Sequence, residues 1–311
     1  MHKKWWGLGT LVGFLVVTLI LMITGWQPNR QRQAKPIRVV TSLNFYGEVA
    51  ESVAGKYGQT TSFINNSAVD THDFQPSTKQ AQQLSEANVV IENGLGYDSW
   101  LNQMVGANNQ DLAVVNVGKT VAHKRSGANE HVWYQPQTMS KLATTLARQY
   151  SRIDPAHRKY YATQAQKYRQ SLQPLNQLIE QAKRGVQSGH NQVLVSEPVF
   201  DYALENLGYR IMNRHFAKAI EDDNDPSPHD IAMMQTAIRQ RRVAFFVNNR
   251  QESSTTIKNM LKLCKKYDVP VLNVTETKPA GQTYVQWMMD QYQQLIKIQK
   301  REANNGSNLS Q

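Results

Sequence analysis

Three side chains with metal-ligand chemistry stand in short, unusual phrases of this chain. His72 lies in Asp70-Thr71-His72-Asp73-Phe74-Gln75-Pro76-Ser77, His131 in Asn129-Glu130-His131-Val132-Trp133, and Glu197 in Ser196-Glu197-Pro198-Val199-Phe200. Two imidazoles and a carboxylate make a good ligand set for a divalent cation such as Zn2+ or Mn2+. Asp70 and Asp73 flank His72, and a carboxylate beside a ligating imidazole can fix its orientation. Glu197 directly follows an apolar run, where a carboxylate is costly unless it is paired or metal-bound. Each residue also has a plainer reading. His72 could be a surface loop histidine, His131 a satisfied, partly buried one, and Glu197 half of a structural salt bridge. The three are far apart in sequence, so only a fold that gathers distant loops can use them together.

The elements around them suggest such a fold. Residues 37–42 read as a strand, 45–53 as a helix ending near Gly55, and 60–64 as a second strand, after which comes the loop with His72. Ser77 is a good N-cap for a helix over 78–87. Residues 88–91 form a short apolar strand closed by Glu92-Asn93-Gly94. The second half repeats this grammar. A strand at 192–195 leads through Pro198 into a helix ending at Gly208, and a loop then reaches Asp225-Pro226-Ser227-Pro228. A helix to about Arg241, a strand at 243–247 ended by Asn248-Asn249, a helix to Tyr267 and a strand at 269–274 complete it. Strands alternating with helices predict an α/β fold of two similar lobes with mostly parallel sheets, and ligand loops at the carboxyl ends of the strands.

Between the lobes, residues 155 to about 184 read as one long linking α-helix. Asp154 is placed to cap it and Pro155 suits its first position. Leu172, Leu175, Leu178 and Ile179 recur at helical spacing, and Pro174 should kink or divide it. The expected divisions are 1–36 for a cytoplasmic start, membrane anchor and tether, 37–154 for the amino-terminal lobe, 155–186 for the linker helix, 187–298 for the carboxyl-terminal lobe and 299–311 for a polar tail.

The anchor is residues 5–26, an uncharged and almost wholly apolar run after His2-Lys3-Lys4, with Trp5, Trp6 and Trp26 at interface positions. It is long enough to span a bilayer and lacks a small-x-small cleavage site. A bacterial lipoprotein would carry a cysteine just after that run, and none stands there. An uncleaved signal anchor at the cell membrane is therefore expected, with the main domain extracytoplasmic. Arg30, Arg32 and Lys35 follow the span, so flanking charge does not decide its orientation. The only cysteine of the 311 residues is Cys264, in an amphipathic helical stretch, which reads as a core residue and excludes an intramolecular disulfide. With 35 Lys and Arg against 24 Asp and Glu, the net charge is +11. That suits an anionic membrane or cell-wall surface as well as nucleic acid. No nucleic-acid-binding motif is present, so no such partner is expected.

With these phrases in place, the chain resembles the extracytoplasmic solute-binding protein of bacterial metal-uptake ABC transporters, the zinc/manganese class with two α/β lobes joined by one long helix. The likeness covers about residues 37–298. It rests on Thr71-His72-Asp73-Phe74-Gln75-Pro76-Ser77, Glu130-His131-Val132-Trp133, Glu197-Pro198-Val199-Phe200-Asp201-Tyr202, Asp225-Pro226-Ser227-Pro228, Thr275-Glu276-Thr277 and Tyr284-Val285-Gln286-Trp287-Met288. The resemblance implies a metal held between the lobes. His72 and His131 match two histidine ligands from the first lobe, and Glu197 matches a third ligand from the second. The fourth, where present, is usually an acid in the loop after the last strand, which points to Glu276. Many members carry Asp there, and Glu is longer, so Glu252 and a water are alternatives. The resemblance also implies Zn2+ or Mn2+ as cargo, an ABC permease and its ATPase as partners, and a monomer.

Other clusters carry less. The run Asp222-Asp223-Asn224-Asp225 lacks the spacing of an EF-hand loop and reads as a solvated turn with Asp225 capping the next helix. His123, His215 and His229 read as exposed. Helical His-Glu-x-x-His, Gly-x-Ser-x-Gly and a P-loop are all missing, so no enzyme is expected. Two other readings stay open at this point: a surface adhesin or cell-wall-interacting protein on the same scaffold, and a metal-dependent hydrolase.

Overall fold

In the computed structural model, which describes residues 36–66, 69, 71, 74–107 and 112–308, the first sheet grows outward from its opening strand. β1 (Ile37–Leu43) pairs in parallel with β2 (Gly58–Ile64) and with β3 (Val89–Glu92), and β4 (Ala113–Asn116) adds beyond β3, giving the order β2-β1-β3-β4. β1 and β3 are almost continuously buried, as expected of parallel strands covered on both faces. α1 (Asn44–Ala54) follows β1 without a break and buries Phe45, Tyr46, Val49, Ala50 and Val53. It lies so close to β2 that a Cβ on Gly47 would stand 2.1 Å from Ser62 Oγ. α2 (Thr78–Ser85) starts at Ser77 in a capping box with Gln80, as the Ser-x-x-Gln spacing predicts. α3 (Ser99–Ala107) precedes β4, and α4 (Thr138–Ile153) closes this half.

The second sheet repeats the plan, with β5 (Gln192–Val195), β6 (Arg210–Ile211), β7 (Phe245–Asn249) and β8 (Val271–Val274) in the parallel order β6-β5-β7-β8. Its helices are α7 (Asp201–Leu207), α8 (Arg214–Glu221), α9 (Pro228–Arg239) and α10 (Thr255–Lys266). α11 (Tyr284–Asn308) ends the described chain, running through residues expected to be a polar tail.

The expected break at Pro174 and the burial of Cys264 are present, while a single unbroken linking helix and the caps at Asp154 and Asp225 are corrected. The span 155–184 is a short 3-10 turn (Pro155–His157) followed by two helices, α5 (Arg158–Ser171) and α6 (Gln173–Arg184), which part at Leu172 with Pro174 in the first turn of α6. A proline is tolerated there because that N–H has no helical partner. Asp154 makes no cap bond; its carboxylate takes His157 Nδ1 at 2.6 Å and the Tyr161 hydroxyl at 2.7 Å. The cap of α9 is Ser227, which accepts from the Asp230 N–H, while Asp225 is exposed. Cys264 is buried, and burial pushes its thiol up to about 12.

The apolar core explains how the sheets are held. One cluster runs continuously through residues of both halves, including Phe45, Trp133, Tyr134, Phe200, Trp287 and Tyr292. A second covers the other face of the second sheet with Leu194, Phe216, Phe246 and Met260, and a third covers the other face of the first with Val40, Phe63, Val90 and Leu101. Apolar layers on both faces leave the carboxyl ends of the strands as the place for ligand loops. The expected anchor, residues 5–26, lies outside the described residues. Among those described, no helix is long and apolar enough to cross a membrane.

Candidate metal centre

His131 is set by the loop that follows β4. It is only 1% exposed and begins a 3-10 turn, Val132–Tyr134. One atom, Asn129 Oδ1, accepts the His131 backbone N–H at 2.8 Å and lies 2.9 Å from His131 Nδ1. Accepting a backbone N–H identifies that atom as the amide oxygen, so Nδ1 carries the imidazole proton and Nε2 keeps its lone pair. Nε2 stands 3.9 Å from Glu276 Oε1, and Glu221 Oε1 at the end of α8 is 3.8 Å from Nδ1. Asn129 also reaches the other half. Its Nδ2 donates to the Pro198 carbonyl at 2.6 Å, and its own carbonyl accepts the Tyr202 hydroxyl at 2.8 Å. The His131 phrase and the Glu197 phrase are thus joined by one asparagine.

Glu197 leaves β5 through Ser196, whose Oγ accepts the Asn249 N–H at 2.8 Å. Asn249 in turn donates its Nδ2 to Glu197 Oε2 at 2.7 Å. Burial, helped by the charges of Glu276, Glu252 and Asp223, pushes the Glu197 carboxyl up to about 8 against that bond. Glu252 is engaged locally, accepting the Ser254 N–H at 2.5 Å beside the start of α10.

Glu276 follows β8 and accepts the Tyr97 hydroxyl at 2.5 Å. Tyr97 is fully buried and belongs to the turn after β3. That turn needs left-handed backbone at Gly94 (φ 74°), Leu95 (φ 61°) and Gly96 (φ 106°). The Asp98 carboxylate holds it by accepting the N–H groups of Asn93 and Gly94 at 2.6 and 2.8 Å. Burial, then the Glu276 charge, raise the Tyr97 phenol well above the usual tyrosine range, so it stays a donor. Next to Glu276, the Thr275 carbonyl lies 2.5 Å from the Tyr134 hydroxyl, and Thr275 Oγ1 accepts Trp287 Nε1 at 2.8 Å. α11 thereby fixes the loop that carries Glu276.

The structure brings His131 and Glu276 face to face and sets Glu197 within reach of the Glu276 charge. His72 lies outside the described residues. Its neighbour Thr71 is buried, with its carbonyl accepting Trp100 Nε1 at 3.0 Å. Among the described residues, no three His, Cys, Asp or Glu side chains stand close enough to hold an ion. Sequence reasoning missed Asn129, Tyr97, Asn249 and Glu221. Tyr97 had a signal, since Gly94-Leu95-Gly96 directly after a strand marks a tight turn at the ligand-facing end of a sheet. Glu221 fell in a stretch read as loop.

A family model described as ZnuA, zinc-uptake complex component A, periplasmic, matches residues 39–298. The manganese-binding lipoprotein MntA of Halalkalibacterium halodurans is 25% identical over 203 residues, 63% of this chain and 67% of that protein. The manganese ABC transporter substrate-binding lipoprotein PsaA of Streptococcus mitis is 21% identical over 302 residues, 90% of this chain and 95% of that one. Among solved structures, the periplasmic zinc binding protein TroA from Treponema pallidum shares the fold with a TM-score of 0.70 at 16% identity, covering 85% of this chain and 99% of its own. With the match spanning both sheets and every described loop of the candidate centre, the chain belongs to the ZnuA family of periplasmic metal-uptake components.

Proposed function

We propose that this chain is the extracytoplasmic solute-binding component of a metal ABC transporter, which captures Zn2+ or Mn2+ and delivers it to a permease driven by an ATPase. The observation that carries this reading is His131 Nε2. Asn129 engages Nδ1 on one side of this ring, and Nε2 on the other faces Glu276 from the second sheet at 3.9 Å. In this reading His72, His131, Glu197 and Glu276 hold the ion, two residues from each of the lobes 37–154 and 187–298, with 155–186 as the link. Glu252 is already committed to the Ser254 N–H, so a water is the better alternative for the fourth place. Four protein donors leave little room for a substrate, in keeping with carriage rather than catalysis. Two carboxylates beside two imidazoles suit Mn2+, whereas intrinsic affinity favours Zn2+; the relatives are named for both metals.

Two of the relatives are named as lipoproteins. Here the single cysteine is buried in α10, and the apolar run 5–26 takes the anchoring role in a chain that acts as a monomer. The test is calorimetric titration of the metal-free protein and of His72→Ala and His131→Ala with Zn2+ and Mn2+, alongside elemental analysis of the purified protein. Each variant should lose at least tenfold in affinity. Full affinity in both would end the assignment.

A further inference from the structure

The positive charge of this chain sits in two places. Residues 1–36 carry five Lys and Arg and no acid, residues 138–171 carry seven and one acid, and the remainder is balanced at 23 of each sign. The second segment forms α4 and α5. With the start of α6 they line a groove of about 1060 Å³. Arg148 and Arg152 of α4 and Arg158, Lys159 and Arg169 of α5 face it, all five exposed, and no acid lines it. The one acid of the segment, Asp154, is turned to His157 and Tyr161.

Among the described residues none of the five cations forms an ion pair. Arg148 and Arg152 reach only Thr145 Oγ1 at 3.4 Å and Gln149 Oε1 at 3.5 Å on their own helix. Like charges one helical turn apart oppose helix formation, as Arg148 and Arg152 do. The fold gains nothing from keeping them unneutralised around a concavity; an anionic ligand does. None of the lining residues belongs to the loops of His131, Glu197 or Glu276.

We propose that this groove binds a linear phosphodiester polyanion with hydroxyl-bearing repeat units, of the polyol-phosphate kind. Four of the five cations are guanidinium groups, whose planar forks match phosphate oxygens in pairs. Thr144 and Ser151 donate their hydroxyl protons to the Ser140 and Ala147 carbonyls at 3.2 and 2.6 Å, which leaves their oxygens as acceptors for repeat-unit hydroxyls, and Gln166 adds an amide. The lining carries no aromatic or large aliphatic side chain. An anionic bilayer is held best by basic residues flanked by such anchors, and a single-stranded nucleic acid by aromatic stacking platforms. A concave, basic, hydroxyl-rich groove fits a threaded polyol-phosphate chain better than either. The inference is independent of the metal assignment.

The test uses the full chain in a nonionic detergent, titrated with a fluorescently labelled poly(glycerol phosphate) oligomer. With five phosphates contacted on a single-stranded polyanion, affinity should fall about 100-fold between 50 and 200 mM salt. The triple variant Arg152→Gln, Arg158→Gln, Arg169→Gln should bind at least tenfold more weakly at low salt. Its fall over the same range should shrink to about 7-fold, since two contacts remain. Its metal titration should match the wild type, which shows that the fold is intact. Four results would overturn the proposal: no binding at 50 mM salt, equal binding of a phosphate-free polyol, equal oligomer affinity in the triple variant, or tighter binding to mixed micelles of phosphatidylglycerol or to single-stranded DNA than to the oligomer.

Discussion

Loading the proposed centre should exchange a proton for the ion at Glu197. Burial pushes this carboxyl up to about 8, with the neighbouring charges of Glu276, Glu252 and Asp223 adding to the shift. At pH 7 such a group is about 90% protonated, and each pH unit it must be driven below its pKa costs about 1.4 kcal/mol. A cation that takes Glu197 as a ligand therefore releases close to one proton at pH 7. Affinity should rise about fivefold from pH 7 to 8 and about a further twofold above that, levelling off beyond pH ~9. Metal binding also needs neutral imidazoles, so acid should weaken it further.

Calorimetric titration at pH 7 in two buffers of different ionisation enthalpy counts the protons directly. Wild type should release about one, and Glu197→Gln, which cannot take up a proton, close to none from this position. Glu197→Gln should also lose the rise between pH 7 and 8. Release of no proton by the wild type, or an unchanged pH slope in Glu197→Gln, would refute the reasoning. The same shift acts on the metal-free fold. The folded-state pKa lies above that of an unfolded glutamate at ~4.3, so the Glu197 contribution to stability is full below ~4.3 and is lost as pH rises through about 8. The metal-free Tm should accordingly fall from pH 6 to pH 8, by an amount on the order of a few kcal/mol in stability at most. Saturating metal should remove that fall.

Two further outcomes follow from the supporting bonds. Asn129→Ala removes the acceptor that sets the His131 tautomer and the link to the Pro198 carbonyl; metal affinity should drop by about 10–100-fold, read by titration, with the chain still folded. Tyr134→Phe leaves the Thr275 carbonyl and Gln291 Oε1 without their buried hydroxyl partner and should cost about 1–3 kcal/mol in urea unfolding; a cost near zero would mean that this contact does not hold the Glu276 loop.

The sheets were legible because parallel strands buried on both faces announce themselves as apolar runs, as at Val39-Val40 and Val193-Leu194-Val195. Ser77 and Pro174 were legible because capping and proline chemistry act locally. β4 and β6 were not, since Ala113–Asn116 and Arg210–Ile211 are edge strands of mixed polarity whose pairing is decided by neighbours distant in sequence. α4 was hidden for the opposite reason: its buried face of Met139, Leu142, Ala143 and Leu146 sits among polar residues, and its start has no side-chain cap. At the candidate centre, side chains with metal-ligand chemistry can be picked out by type. The residues that aim them cannot. Gly94-Leu95-Gly96 marks the turn that carries Tyr97, but the partners of Asn129, Asn249 and Tyr97 are unreadable until the fold brings Asn129 to Pro198, Asn249 to Glu197 and Tyr97 to Glu276.

The same fold limits how the ion can leave. A chain of ring contacts joins Phe45 to Trp133 at 5.2 Å, Phe45 to Trp287 at 5.6 Å, Trp287 to Tyr134 at 5.7 Å, Tyr134 to Phe200 at 5.0 Å and Phe200 to Tyr292 at 5.8 Å. It runs from α1 through the His131 turn to α11 and the Glu197 turn. Each ring buries ~150–250 Å², worth about 4–6 kcal/mol at ~25 cal/mol per Å². Parting the sheets far enough to wet three of them would cost about as much as the whole fold is stable by, ~5–15 kcal/mol. The loops are held more lightly, by single bonds such as Tyr97 to Glu276 and Asn249 to Glu197, each worth about 1–3 kcal/mol to a charged partner. Metal should therefore enter and leave by movement of the turns at 93–98 and 275–277 over a fixed core. Hydrogen exchange should slow at those turns on metal addition, while the radius of gyration from small-angle scattering stays the same. A metal-dependent change in that radius, or slowed exchange spread evenly through the buried strands, would show instead that the two sheets move apart as bodies.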